Sequence, residues 1–143
     1  MDRQQIIMNF TVPPSNEDIK VIAEETLDIL PEELLEYCES LLIEVEEFPD
    51  EAIEDELDLD DSYDLLALYR NGNEISPGIE KKGNDENSTL IIYRRPLLDY
   101  WCESQDSLND VIRNTMIEEL ADNFDFTDDE IEDMTSRHYQ GLL

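Results

Sequence analysis

An α+β domain is the fold class this sequence predicts, and three observations point to it. Apolar residues recur at helical spacing near both ends, around Ile19 to Leu27 and Leu108 to Phe124. Two short strand-like runs, 42–46 and 89–95, lie between them. The order is therefore helices, a few strands, then helices, which is not the repeating alternation of a parallel α/β fold. At 143 residues the chain suits one domain whose core needs no disulfide or metal staple.

Each element has its own warrant. Residues 1–14 read as a loose lead-in and 15–143 as the domain. Ser15 with Asp18 three positions later is a capping pattern, and Ile19, Ile22, Ala23 and Leu27 carry a helix from there to about Ile29. Pro31 suits a new helix start, with Leu34, Leu35 and Cys38 on one side. Leu42-Ile43-Glu44-Val45-Glu46 alternates, as a strand with one wet face does, and Phe48-Pro49-Asp50 ends it. Residues 51–57 predict a short acidic helix or turn, and the carboxylate run 58–64 a solvated loop. The apolar stretch 65–69 is too short for periodicity to assign. Gly, Asn, Ser, Pro and charged residues fill 71–88, which reads as a long exposed loop. Pro96 stops the strand predicted over 89–95, and 97–102 allows one or two helical turns. Asp106 or Ser107 caps the next helix, which runs to about Asn123. Thr127 and Glu130 form a capping box for a last helix over 128–138.

Charge narrows the function classes. Asp and Glu number 39 against 9 Lys and Arg, a formal net charge of −30. That field repels nucleic acid and anionic membranes and attracts cations and basic protein surfaces. Its plain consequence is solubility; its functional reading is an interaction module that docks a basic partner or mimics nucleic acid. Cys38 and Cys102 make neither a disulfide framework nor a CxxC pair and are expected as reduced thiols. Residues 1–10 lack the apolar core of a signal peptide, and no apolar stretch approaches the ~20 residues that span a bilayer, so the expected location is the cytoplasm. There is no glycine-rich phosphate loop and no basic stripe, and 58–64 lacks the glycine and glutamate of a calcium-binding EF-hand loop. Arg94 and Arg95 are expected to pair with nearby carboxylates rather than hold an anion, and Trp101 and the tyrosines to pack the core or its rim.

Three separated stretches carry a family resemblance. They are Leu30-Pro31-Glu32-Glu33-Leu34 with Ile43-Glu44-Val45-Glu46-Glu47-Phe48-Pro49-Asp50, then Tyr93-Arg94-Arg95-Pro96-Leu97, then Val111 to Glu130. In this order and spacing the chain resembles the bacterial minimal zincin-like metallopeptidase family over roughly residues 27–134. The resemblance implies a small zincin-like domain with helices packed on a short mixed or antiparallel sheet. The family's third stretch carries H-E-x-x-H-x-x-G-x-x-D, and here it reads Glu118-Glu119-Leu120-Ala121-Asp122-Asn123-Phe124-Asp125-Phe126-Thr127-Asp128. Position by position, Glu118 stands at the first metal-binding histidine and Glu119 at the catalytic base. Asp122 stands at the second histidine, Asp125 at the turn glycine, and Asp128 at the acidic third ligand. The resemblance thus implies a peptidase-type protein that has lost zinc-dependent hydrolysis and keeps a cleft for a peptide or protein partner.

The altered residues have a chemistry of their own. Ligands four apart share one helix face, so two imidazoles there grip zinc, and the adjacent Glu acts as base on the bound water. Glu118, Asp122 and Asp128 offer oxygen instead, which suits Mg²⁺, Mn²⁺ or Ca²⁺ better than zinc and leaves a carboxylate-site hydrolase as an alternative. His138 is the chain's one histidine and cannot rebuild a two-imidazole site. The plainer expectation is that Leu108, Ile112, Met116, Ile117, Leu120 and Phe124 form the core stripe. Glu118 and Asp122, with Val111 and Thr115 near them, would then form the opposite solvated face or the wall of an empty cleft.

Overall fold

The computed structural model describes residues 13–38, 40–70, 74–76, 79–80 and 88–136. The described residues form an α+β domain of six α-helices and a three-stranded mixed sheet, with a separate two-stranded ribbon.

Helix α1 (Asn16–Leu27) starts where expected. The Asp18 N–H donates to Ser15 Oγ at 3.1 Å and the Ser15 N–H donates to Asp18 Oδ2 at 3.0 Å. This reciprocal pair satisfies two donors that a helix start otherwise leaves open. Pro31 caps the four-residue helix α2 (Glu32–Leu35), which drives Leu34 fully into the core. Strand β1 (Leu41–Glu46) buries Leu41 and Ile43 and turns Leu42 and Glu44 to solvent. Asp50 caps helix α3 (Glu51–Leu57) by accepting the Ile53 N–H at 2.9 Å. Part of the carboxylate run closes into a 3₁₀ turn, Ser62–Asp64.

The apolar stretch that periodicity left unassigned is a strand, β2 (Ala67–Arg70). The predicted loop 71–88 departs from expectation: it contains β3 (Glu74–Ser76) and β4 (Ile79–Glu80), paired antiparallel, and its last residue opens β5. Strand β5 (Ser88–Tyr93) lies at the centre of the main sheet, in the order β1-β5-β2. It runs parallel to β1, with Val45 opposite Ile92, and antiparallel to β2, with Ala67 opposite Ile92.

Pro96 does not terminate a strand as expected. The strand ends at Tyr93, and Pro96 falls in the first turn of α4 (Arg94–Glu103). A missing N–H costs nothing there, because first-turn donors have no partner within the helix. Ser107 caps α5 (Leu108–Asn123) by accepting the Asp110 N–H at 3.1 Å. Thr127 and Glu130 exchange hydrogen bonds of 3.1 and 2.8 Å at the start of α6 (Asp128–Ser136). His138 lies outside the described residues.

Ile19, Leu34, Leu90, Ile92, Leu97, Ile112, Met116 and Leu120 form one contiguous core between α1, the sheet and α5. Burying that many large apolar side chains is the main stabilising term of the fold. Helix α5 is buried on more than the predicted stripe: Val111 and Thr115 are also buried, because α6 and β2 pack against its other side. Arg113, 8 % exposed, ties α6 to α5 by donating to the carbonyls of Met134 and Thr135 at 3.2 and 3.3 Å. A cation there also complements the carbonyl end of α6. Cys38 is buried, which pushes its thiol up to about 11, and Cys102 is exposed; both are free. Trp101 packs on the rim of the core and Tyr93 is buried, but Tyr37, Tyr63 and Tyr100 are exposed. Among the described residues no helix is long and apolar enough to cross a membrane.

Candidate functional site

The last two turns of α5 and the turn that follows set the site's shape. Helix α5 ends at Phe124, and Asp125 takes the left-handed conformation at φ 66°. The Phe126 N–H then donates to the Ala121 carbonyl at 3.0 Å and the Asp125 N–H to that of Asp122 at 3.4 Å. These are the two hydrogen bonds of a Schellman C-cap, whose left-handed position normally falls to glycine. The chain therefore reverses direction where a turn glycine would reverse it, and α6 is carried back alongside α5.

This return encloses a cleft of about 610 Å³. Glu118, Glu119 and Asp122 of α5 and Asp128 of α6 all line it, so the structure brings together all four site residues predicted from sequence. Asp125, at the turn itself, is not among the lining residues. The opposite wall is the segment Asp64 to Ala67, and Tyr100, Asp106 and Asn114 complete the rim. Val111 and Thr115, both buried, line it together with Ile131. The face of α5 bearing Glu118 and Asp122 is thus one wall of a concavity rather than an open surface.

Glu119 is the most constrained of the four. Its Oε2 accepts the backbone N–H of Tyr69 at 2.9 Å and the Asn123 side-chain amide at 3.0 Å. Burial raises its pKa above the ordinary glutamate value, those two hydrogen bonds pull it back down, and the charge of Asp122 raises it again. Glu118 is raised by burial alone, although much of its surface reaches solvent. Across the sheet, burial foremost, with Glu46 and Asp50 adding to it, pushes Tyr93 up to about 12.

A family model for zincin-like metallopeptidases matches residues 38–138 of this chain. The chain belongs to the zincin-like metallopeptidase family. A comparison with curated proteins gives no significant match. The family match takes in every described strand, α3 to α6 and all four cleft carboxylates; α1 precedes it, yet its Ile19 and Ala23 are fully buried in the same core.

Zinc is the metal this family implies, and the residues present do not fit it. Glu118 and Asp122, one helical turn apart on α5, offer carboxylate oxygen and no imidazole nitrogen. Among the described residues no group of three His, Cys, Asp or Glu side chains converges closely enough to hold a metal ion. What the arrangement can do chemically is present hydrogen-bond acceptors and negative charge in a concavity.

The other zincin-like segments have a structural task. Glu47, just after β1, reaches Arg94 at 3.1 Å and Arg95 at 3.5 Å, and its carbonyl accepts the Arg95 N–H at 3.1 Å. Arg94 Nε also donates to the Pro14 carbonyl at 2.7 Å, and the Arg95 guanidinium lies 5.9 Å from the Phe48 ring centre. The expected pairing of these arginines with carboxylates is what the structure contains.

Sequence reasoning missed Asp64, Tyr100 and Asp106 as cleft residues, because loop carboxylates and an exposed tyrosine carry no local signal of meeting a distant helix. Asn123 was detectable, since it stands four residues after Glu119 and so on the same helix face.

Proposed function

We propose that this zincin-like protein no longer hydrolyses peptides with zinc and that its cleft keeps the older capacity to receive a peptide or protein segment. The observation that carries the reading is the donor set on the cleft wall: Glu118 and Asp122 supply oxygen at both positions that need imidazole. A hydroxide-generating zinc requires a tightly held ion with strong Lewis acidity, which nitrogen ligands in a tetrahedral array provide. The tie between Glu119 and the Tyr69 N–H adds support, because it commits one carboxylate oxygen at the base position to holding β2 against α5. The concavity itself is of the size that ordinarily receives ligands, about 300–1,000 Å³.

The test is a peptidase assay on casein and a mixed peptide library, with Zn²⁺, Mn²⁺ or Ca²⁺ added in turn. No metal-stimulated cleavage above background is expected, and Glu119→Gln should leave that background where it was. Metal-dependent turnover that Glu119→Gln abolishes would sink the proposal.

A further inference from the structure

We propose that the aromatic surface where α2 meets the end of α5 docks a basic amphipathic segment of a partner protein, with an arginine lying on the Tyr37 ring. The inference stands apart from the cleft. Asp128 and Ile131 line the cleft, whereas Asp129, Glu130 and Met134 of the same helix line a separate groove.

The rings give the first reason. Tyr37, just after α2, stacks on Phe124 with ring centres 4.8 Å apart and planes inclined by 21°. Phe126 meets Tyr37 edge-on at 6.1 Å, and Tyr69 meets Phe124 edge-on at 5.2 Å. Phe124 and Phe126 pack against the core, yet Tyr37 is 54 % exposed. A ring fixed on one face by another ring, in a residue so open to solvent, is a preorganised stacking platform.

The groove gives the second reason. It measures about 290 Å³ and is lined by Phe126 and the buried Met134, together with Glu33, Asp129 and Glu130. Phe126 belongs both to the groove and to the ring cluster, so the two form one continuous surface. An apolar patch bordered by polar residues is the usual mark of an interaction site.

Charge names the partner. Residues 31–38 and 122–136, which supply the groove and every ring but Tyr69, contain no lysine, arginine or histidine. Glu32, Glu33, Glu36, Asp125 and Asp129 are all exposed there. A guanidinium stacks on a tyrosine face and donates to carboxylates at the same time, which no neutral or acidic side chain does. A leucine one helical turn from that arginine would fill the groove. A second copy of the chain would bring −30 against −30, and nucleic acid would bring its phosphates, so both are repelled.

Fluorescence anisotropy tests this with a short labelled peptide that carries one arginine and, four positions on, one leucine in an alanine–glutamine background. At about 150 mM salt, which screens the diffuse field of the whole chain, it should bind with a Kd below about 1 mM. Glutamine in place of the arginine should weaken binding at least about fivefold, and serine in place of the leucine about threefold or more. Tyr37→Leu should weaken the arginine peptide about two- to fivefold, as loss of an exposed cation–π contact does, while Tyr37→Phe keeps the ring and the affinity. Tyr100→Leu at the cleft and Glu24→Gln/Glu25→Gln on the exposed side of α1 should change nothing. Thermal melts confirm that each variant is folded, and the peptide substitutions need only the unaltered protein. Absence of binding, or equal binding of either substituted peptide, overturns the proposal. Weakening by Tyr100→Leu in place of Tyr37→Leu moves the peptide to the cleft and also overturns it, as does equal weakening by the α1 double variant, which signals diffuse attraction. A dimer in sedimentation that Tyr37→Leu dissociates would give the surface to a second copy instead.

Discussion

Two clusters of charge in this molecule are built in opposite ways. At the junction of β1 and α4 the charges balance: Glu47 faces Arg94 and Arg95, and Arg94 has the Pro14 carbonyl as well. In the cleft along α5, carboxylates face one another with no cation among the lining residues. The side chains of both clusters lie within the residues that the family model matches. The first fastens a strand to a helix and feeds the core; the second sits on the side of α5 turned away from it. The contrast teaches why the cleft residues can vary while the fold persists. Glu118 and Asp122 contribute nothing to the packing of Ile112, Met116 and Leu120, so exchanging them costs the core nothing.

The contrast can be broken in four ways. If the backbone of α5 still has the shape of a metal-binding helix, Glu118→His/Asp122→His should gain zinc affinity that the wild type lacks. At a hundredfold excess of zinc over Kd, about 2.7 kcal/mol of added stability is expected, read as a rise in Tm. A double variant insensitive to zinc would mean that the site has changed in more than its side chains. At the junction, Arg94→Ala removes a mostly buried cation with two partners and should cost about 2 kcal/mol in urea unfolding. An unchanged midpoint would show that the balanced cluster is as dispensable as the unbalanced one.

The cleft should respond to pH with the opposite sign to a paired carboxylate. Burial raises Glu118 and Glu119 above the ordinary glutamate value of 4.5, so the folded protein holds these protons more tightly than the unfolded chain. Their ionised forms oppose folding in full above the raised pKa, and that opposition is relieved as pH falls through it toward 4.5. Tm should therefore rise between neutral pH and about pH 5, with a smaller rise in Glu118→Gln/Glu119→Gln. Equal profiles would show that the gain comes from the −30 net charge as a whole. The smallest effect is expected at Asp125→Gly. Relief of the left-handed strain, about 1–2 kcal/mol, is opposed by roughly 0.4–1 kcal/mol of extra unfolded-chain entropy. A net gain near 0.5 kcal/mol should appear as a slightly higher urea midpoint, and a loss would mean that the aspartate makes the turn rather than tolerates it.

How much of this was legible depended on the range of the interactions. The caps at Ser15, Ser107 and Thr127 act over three residues and could be read directly. So could the family's segments, because motif spacing on one helix fixes which side chains share a face. Strand β2 could not, since its identity comes from pairing with β5, which follows it by some twenty residues. Pro96 was misread because a proline marks either the end of a strand or the first turn of a helix, and only the immediate continuation into α4 decides between them. Val111 and Thr115 were placed on a wet face because the helix pattern says nothing of what packs behind it.

The bond from the Tyr69 N–H to Glu119 reaches beyond the cleft. Among the described strands, β2 lies at one border of the three-stranded sheet. Unpaired amides along such a border invite another copy of the chain to add itself as a further strand. Here one of those amides is occupied by a carboxylate that a neighbouring backbone would have to displace, and doing so would leave the charge stranded between the two molecules. Glu119 thus occupies one outward-facing amide of β2 that an added strand would otherwise use.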